Sequence, residues 1–333
     1  MRILVIKTSS FGDIVHLFPA LALLHRKYPD ATVDFVVNPE FAPLIDYAPI
    51  PVNRKIIFER KKLGRIKTFF PQLQALIKEI RKEKYDFAVD FQGLFRNAFI
   101  AGIARADVKA GFAAPREKSA GIFYNRKIKV NSLHAVEKYG ELATKLFALS
   151  GTPEPEIAPG KNLPDSGILS CLPGRYAVLL PGARWKSKRF PPELFREITG
   201  ILNKRFPEMH FVAAGSAGEY DIAAKLGEKV VNLAGKTSVA ELMEILRRAE
   251  MVIGNDSGPL HAAAALGVPV FGFYGASAVE LTGPRGRKVH IFSSGAKCCG
   301  CRKRKCPDGS YRCMQLDAGA VADTIIKEME EKI

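Results

Sequence analysis

Arg2-Ile3-Leu4-Val5-Ile6-Lys7-Thr8-Ser9-Ser10-Phe11-Gly12-Asp13 follows the initiating methionine, and its two halves obey different rules. Arg2–Lys7 is a short run dominated by aliphatic residues, the mark of a strand buried on both faces. Thr8–Asp13 is a turn: Gly12 permits a tight change of direction, and Asp13 stands where a helix from about Ile14 to Tyr28 begins. A strand that turns directly into a helix is the first βα unit of a parallel sheet. Asp13 can do either of two jobs there. It can cap the helix, or it can present a carboxylate to a ligand.

The same alternation continues outward. Strands are predicted at Thr32–Val37, Lys55–Phe58 and Phe87–Val89, with helices over Ile66–Lys84 and Leu94–Ala104. A proline- and glycine-rich stretch then breaks the rhythm. It divides the chain into a domain over residues 1–155, a linker over 156–175 and a second domain over 176–333. In the second domain strands are predicted at Tyr176–Leu180, His210–Ala214, Val230–Leu233, Met251–Ile253 and Val268–Phe273. They alternate with helices at Glu193–Phe206, Tyr220–Leu226, Val239–Arg248 and Gly258–Leu266, and a last helix covers Ala318–Glu331. The fold class is therefore α/β, two doubly wound Rossmann-like domains facing across a cleft, with ligands at the carboxyl ends of the strands.

The chain carries 50 Lys+Arg against 34 Asp+Glu, a formal charge of +16. The excess is concentrated in the first 150 residues, which points to an anionic partner or to a solvated basic face. The basic runs lack interleaved aromatics and any nucleic-acid motif, so no nucleic-acid partner is expected, although a basic nucleic-acid-binding protein is the rival of a different class. The apolar run at the N-terminus is too short for a signal peptide and no stretch suits a spanning helix. A cytoplasmic protein that touches a membrane surface is the expectation.

Two further motifs carry chemistry. Pro181-Gly182-Ala183-Arg184-Trp185-Lys186-Ser187-Lys188-Arg189 follows a strand and combines a glycine turn with clustered cations, a candidate diphosphate cradle. Gly254-Asn255-Asp256-Ser257-Gly258-Pro259-Leu260-His261 ends a strand and starts a helix whose positive end can hold an anion. His261 reads equally as a satisfied core histidine. There is no G-x-G-x-x-G, D-x-D, G-x-S-x-G, H-E-x-x-H or Walker A pattern. If a sugar nucleotide is the substrate, cations and helix dipoles must neutralise its diphosphate instead of a metal. Cys298, Cys301, Cys306 and Cys313 form C-x₂-C-x₄-C-x₆-C. That spacing suits a structural zinc site, a disulfide or redox pair, or free thiols, and none of these bears on catalysis.

Taken together, the chain resembles the bacterial ADP-heptose:lipopolysaccharide heptosyltransferases, glycosyltransferase family 9. The likeness rests on K-T-S-S-x-G-D, Asp90–Leu94, Phe123–Lys127, His134–Glu137, Lys188–Pro191, Leu233–Ser238 and Asn255–Gly258 with His261. The opening, Phe123–Lys127 and His134–Glu137 are nearest the type I branch, which adds heptose to a Kdo residue of lipid A–Kdo. The resemblance implies a GT-B fold and a metal-independent inverting transferase with ADP-heptose as donor. Asp13 would be the general base. Lys188 would contact the donor phosphates, Glu219 the ribose, Asp256 the sugar hydroxyls, and Ser257, Gly258 and His261 the diphosphate, with Gly182, Ala183, Arg184 and Thr237 completing the donor site. Ser10, Gly12, Arg60, Lys61, Lys62, Gln92 and Arg116 would serve the acceptor. No cofactor is implied for catalysis, and a zinc at the cysteines would be structural. Peripheral association with the cytoplasmic face of the inner membrane follows from the lipid acceptor. A type II or other family 9 transferase with a different acceptor, or a sugar-nucleotide epimerase of similar architecture, is the nearer alternative.

Overall fold

A computed structural model describes residues 1–158, 160 and 167–331. The chain divides into two compact units, Met1–Lys161 and Asn162–Ile333.

In the first unit the strands are β1 (Arg2–Ile6), β2 (Thr32–Val37), β3 (Val52–Ile57), β4 (Lys84–Asp90), β5 (Arg105–Phe112) and β6 (Arg126–Ile128). All pair in parallel, in the order β3-β2-β1-β4-β5-β6. The helices between them are α1 (Phe11–Val15), α2 (Phe18–Lys27), α3 (Arg60–Leu63), α4 (Ile66–Ile80), α5 (Phe95–Ile103) and α6 (Ala135–Phe147). The chain runs one way from β1 through β2 to β3, then returns to β4 and runs the other way. The carboxyl ends of β1 and β4 therefore diverge into different loops and leave a crevice at this reversal, the place where doubly wound sheets bind ligands. The register Ile6↔Asp90 sets the loop after β1 beside the loop after β4.

The second unit repeats the plan. It begins with α7 (Gly167–Ser170); its strands are β7 (Tyr176–Leu180), β8 (His210–Ala213), β9 (Val230–Asn232), β10 (Met251–Asn255), β11 (Val270–Phe273) and β12 (Val289–Phe292), in the order β12-β11-β10-β7-β8-β9. The later helices are α8 (Pro192–Arg205), α9 (Tyr220–Ala224), α10 (Val239–Arg248), α11 (Gly258–Ala265), α12 (Val279–Thr282) and α13 (Ala318–Glu330). Here the reversal lies between β7 and β10, whose ends feed Pro181 and Asp256. β7 and β10 are buried at every residue, as their unbroken apolar runs require.

Several details differ from the sequence reading. The first helix starts at Phe11 and breaks at His16–Leu17, and Asp13 is its third residue, not its cap. Strands β5, β6 and β12 and helix α6 are additional to the predicted elements. Strand β5 alternates polar and apolar residues, like a one-sided surface strand, and the edge strand β6 is only Arg126-Lys127-Ile128, with both cations exposed. Of the stretch expected as a linker, residues 159 and 161–166 lie outside the described residues. Its later part forms α7, whose Leu169 is buried.

Close packing also positions the loop after β4. Tyr124 donates its hydroxyl to the buried Asp90 at 2.6 Å, and a Cβ on Gly111 would overlap the Tyr124 ring. Asp90 in turn accepts the backbone N–H groups of Gln92 and Gly93. Gly111→Ala should therefore destabilise the protein by about 2 kcal/mol, since overpacking costs roughly 1–3 kcal/mol. A urea titration in which Gly111→Ala matches wild type would contradict this packing.

Candidate active site

The first unit gathers its chemistry around Asp13. Ser10 and Asp13 form a capping box at the start of α1: Asp13 Oδ2 accepts the Ser10 backbone N–H at 3.1 Å and its hydroxyl at 2.9 Å. Asp13 Oδ1 accepts from Tyr139 Oη at 3.3 Å and lies 3.7 Å from Lys7 Nζ. The side chain keeps 35% exposure, so it is anchored yet open to a ligand. Burial pushes its carboxyl up. The charges of Lys7 and His16 and the Ser10 hydrogen bonds more than offset this and bring it down to about 2. Asp13 is thus ionised throughout the ordinary pH range.

Lys7 and His16 act directly on this carboxylate, and a group of arginines gathers further out. Arg96 on α5 is half-buried, and burial lowers its pKa, helped by the charges of Arg60 and Arg116 close by. Arg116 also acts on Lys7 and Tyr139, which ties the arginines to the Asp13 pocket. Glycine at 93, with φ 69°, lets the loop after β4 pass against the Arg116 backbone, and Glu117 N–H bonds Gly93 O at 2.9 Å. The shielded Gln92 Oε1 and Arg96 Nε have no hydrogen-bond partner among the described residues. Like charges held together, with the Arg96 Nε–H donor unpartnered among the described residues, leave positive charge unanswered here. Gly12 is buried beneath Asp13, and Arg60, Lys61 and Lys62 are exposed on α3.

The second unit builds on Asp256, at the end of β10. This buried carboxylate accepts Lys188 Nζ at 2.5 Å and Tyr274 Oη at 3.3 Å, bonds His261 Nε2 at 3.2 Å, and accepts the Ser277 hydroxyl. Burial alone would raise its pKa, but His261 and Lys188 overcome that and hold it well below the usual carboxylate range. His261 is 6% exposed and bonded to the acid that holds Lys188, as a satisfied core histidine would be. Next to Asp256, Ser257 is the N-cap of α11 but makes no side-chain cap bond, and its hydroxyl is shielded and unpartnered. Ser257 and Gly258 thus present the positive end of α11 beside Lys188.

Lys188 closes a 3₁₀ turn, Lys186–Lys188, whose Ser187 hydroxyl donates to Lys303 O at 2.6 Å. Glu219 Oε2 accepts the Ser216 N–H at 2.7 Å and hydroxyl at 2.9 Å. Its carboxylate lies over Gly182, where a Cβ would overlap it, so Gly182 makes room for Glu219. Ala183 is buried, Arg184 is exposed, and Thr237 precedes the Ser238 cap of α10.

Cys298, Cys301, Cys306 and Cys313 line one cavity of about 200 Å³ together with Ser187 and Lys303, so the cysteine loop braces the turn that carries Lys188. All six thiols are free. Burial, then the neighbouring cysteines, push Cys313 up to about 11. Among the described residues no three histidine, cysteine or carboxylate groups are gathered so as to hold a metal ion.

Sequence reasoning passes over Lys7, His16, Arg96 and Tyr139 as site residues. Lys7 stands inside the quoted opening, and Tyr139 two residues beyond His134–Glu137. His16 is near Asp13 along the chain, whereas the packing of α6 brings Tyr139 to it.

The whole chain superimposes on the E. coli heptosyltransferase WaaC with ADP at a TM-score of 0.79 and 28% identity, covering 99% of this chain and 100% of that one. An E. coli ADP-heptose lps heptosyltransferase II has the same fold, with a TM-score of 0.80 at 21% identity, covering 100% of this chain and 99% of that one. The architecture is that of the GT-B glycosyltransferases. Glycosyltransferase family 9 (heptosyltransferase) matches residues 73–312. Lipopolysaccharide heptosyltransferase 1 of Pseudomonas aeruginosa is 31% identical over 321 residues, 92% of this chain and 87% of that protein. Its Escherichia coli K12 counterpart is 31% identical over 308 residues, 87% of this chain and 93% of that protein. The chain belongs to glycosyltransferase family 9 and is a glycosyltransferase.

The Asp256 cluster yields a stability test. Its folded pKa is depressed, so its contribution is fully present above the unfolded value of ~3.9 and is lost as pH falls toward the folded one. Asp256→Asn should cost about 3 kcal/mol at pH 7, where Lys188 loses its partner. The gap to wild type should narrow in urea melts below about pH 4. A gap that stays constant with pH would rule out an ionised Asp256 as the source.

Proposed function

We propose that this enzyme transfers heptose from ADP-heptose to a Kdo residue of the lipid A–Kdo inner core, with inversion at the anomeric carbon. The observation that carries the reading is Asp13: a single carboxylate, kept ionised, open on one side and beside a cluster of arginines suited to an acidic acceptor. The acceptor hydroxyl attacks the anomeric carbon as its proton passes to Asp13, and the bond to the ADP oxygen breaks in the same displacement. An ionised carboxylate of low pKa is a weak base, so the proton moves late, once the attacking oxygen has become acidic.

In the second unit Lys188 and the open end of α11 neutralise the charge that gathers on the departing ADP. Asp256 would repel a diphosphate if it stood alone. Its four partners use up its charge, and its task is to hold Lys188 and His261 toward the phosphates. Glu219, fixed by Ser216 and packed on Gly182, is positioned to bond the ribose. The diphosphate is thereby met by protein cations, and activity should persist in a chelator.

The acceptor is a lipid, and the first unit has a surface to meet one. Arg60, Lys61, Lys62, Arg65 and Lys67 are exposed around α3 and the start of α4. Phe70 beside them is 75% exposed. Among the described residues no helix is long and apolar enough to cross a membrane, so this reading has the enzyme dock peripherally on the cytoplasmic leaflet. Each cation near an anionic surface contributes ~1 kcal/mol. Arg60→Glu with Lys62→Glu should weaken binding to anionic vesicles by at least about thirtyfold, since the loss of two cations alone removes roughly 2 kcal/mol. Unchanged sedimentation with vesicles would place the docking surface elsewhere.

Incubation with ADP-heptose and lipid A–Kdo should release ADP and lengthen the acceptor by one heptose. Asp13→Asn should lower kcat by roughly 10²–10⁴-fold with little change in ADP affinity. Loss of ADP affinity at unchanged kcat would make Asp13 structural, and absence of ADP release would discard the donor.

A further inference from the structure

Lys7 is a charge the proposed chemistry does not yet use. It sits at the end of β1, 1% exposed, with Nζ 2.6 Å from Tyr139 Oη, 3.3 Å from Phe91 O and 3.7 Å from Asp13 Oδ1. The ammonium also lies 4.3 Å from the centre of the Tyr139 ring. Burying a lysine this deeply is unfavourable unless its charge is answered, and the answer here is the Asp13 carboxylate with the phenol between them.

The two oxygens of Asp13 are not equivalent. Oδ2 accepts two donors from Ser10, the backbone N–H and the hydroxyl, which occupies both of its lone-pair directions. Oδ1 accepts from Tyr139 at a longer 3.3 Å. We infer that Lys7 is a positioning residue which, through Tyr139, turns Asp13 so that Oδ1 alone receives the acceptor's proton, and which drives that proton off again after transfer. The inference rests on the reading of Asp13 as the base. In the step itself the acceptor O–H bond breaks and its proton goes to Oδ1. The acceptor oxygen bonds the anomeric carbon, and the ADP oxygen leaves with its electron pair. Once Oδ1 is protonated, the Lys7 charge faces no anion, and this favours return of the proton to solvent.

The groups facing Asp13 are Lys7 from the end of β1, Ser10 and His16 from its own segment, and Tyr139 from α6. Arg116 and Asp90 act in turn on Lys7 and Tyr139. With Lys7 removed, burial is less opposed and the Asp13 carboxyl rises.

The test is the pH dependence of kcat for wild type, Lys7→Met, Lys7→Arg and Tyr139→Phe, with ADP affinity and far-ultraviolet circular dichroism measured alongside. In Lys7→Met a new acidic limb should enter roughly between pH 4 and 7, and kcat should fall about tenfold or more with ADP affinity unchanged. Tyr139→Phe should move in the same direction by less, and Lys7→Arg should remove the limb. Folded Lys7→Met and Tyr139→Phe proteins with the wild-type pH profile would overturn the inference. Asp13→Asn separates the two failures: if it stays fully active, the base itself is wrong, whereas an inactive Asp13→Asn with unshifted Lys7 variants defeats only the role of Lys7.

Discussion

A carboxylate drawn partly out of water is costly as an anion unless a cation and hydrogen-bond donors meet it, and Asp13, in the first turn of α1, is met in this way. Desolvation by itself pushes its carboxyl up. Lys7, Tyr139 and Ser10 reverse the outcome, and each comes from a separate piece of chain: the end of β1, helix α6 and the capping box of α1. The sheet order puts β1 at the centre, and the packing of α6 onto the first unit supplies the phenol. Fold and function thus share a single requirement, that these three pieces stay in register.

The second unit solves the same problem for a different end. Asp256 also stands after a central strand, is buried, and is held ionised by a lysine, a histidine and hydroxyls. Here, however, its charge is consumed by its partners, and what is presented to a ligand is positive: Lys188 and the start of α11. One topology used twice therefore yields an ionised carboxylate with an open side in one unit and a carboxylate covered by its own partners in the other. The difference lies in whether the carboxylate keeps an open side, as Asp13 does with 35% exposure and Asp256 with 5% does not.

Much of this was legible in the chain. The unbroken apolar runs of β1, β7 and β10 announced parallel strands. The turns after them marked Asp13, the 181–189 loop and the 254–261 block, because glycine and small polar residues at a strand-to-helix junction have few other uses. The resemblance to family 9 supplied roles that spacing could not. What stayed hidden depended on contacts between distant segments. Lys7 reads as the polar end of a strand until α6 is packed against it, and Arg96 reads as an ordinary helix surface residue until Arg60 and Arg116 stand beside it. The polar alternation of β5 masked one strand, and the shortness and charge of β6 masked another. The cysteine spacing told of proximity, which the shared cavity bears out, but spacing carries no information on whether thiols converge on a point or merely line a wall.

The central claim is that a single open carboxylate performs one displacement, with no protein nucleophile and no covalent intermediate. The anomeric configuration of the product tests it most directly. Nuclear magnetic resonance of the heptosylated acceptor should show, in the new glycosidic bond, the configuration opposite to that of the donor. Retention of the donor's configuration would require two displacements or a front-face route, and would contradict Asp13 as the base of a single displacement.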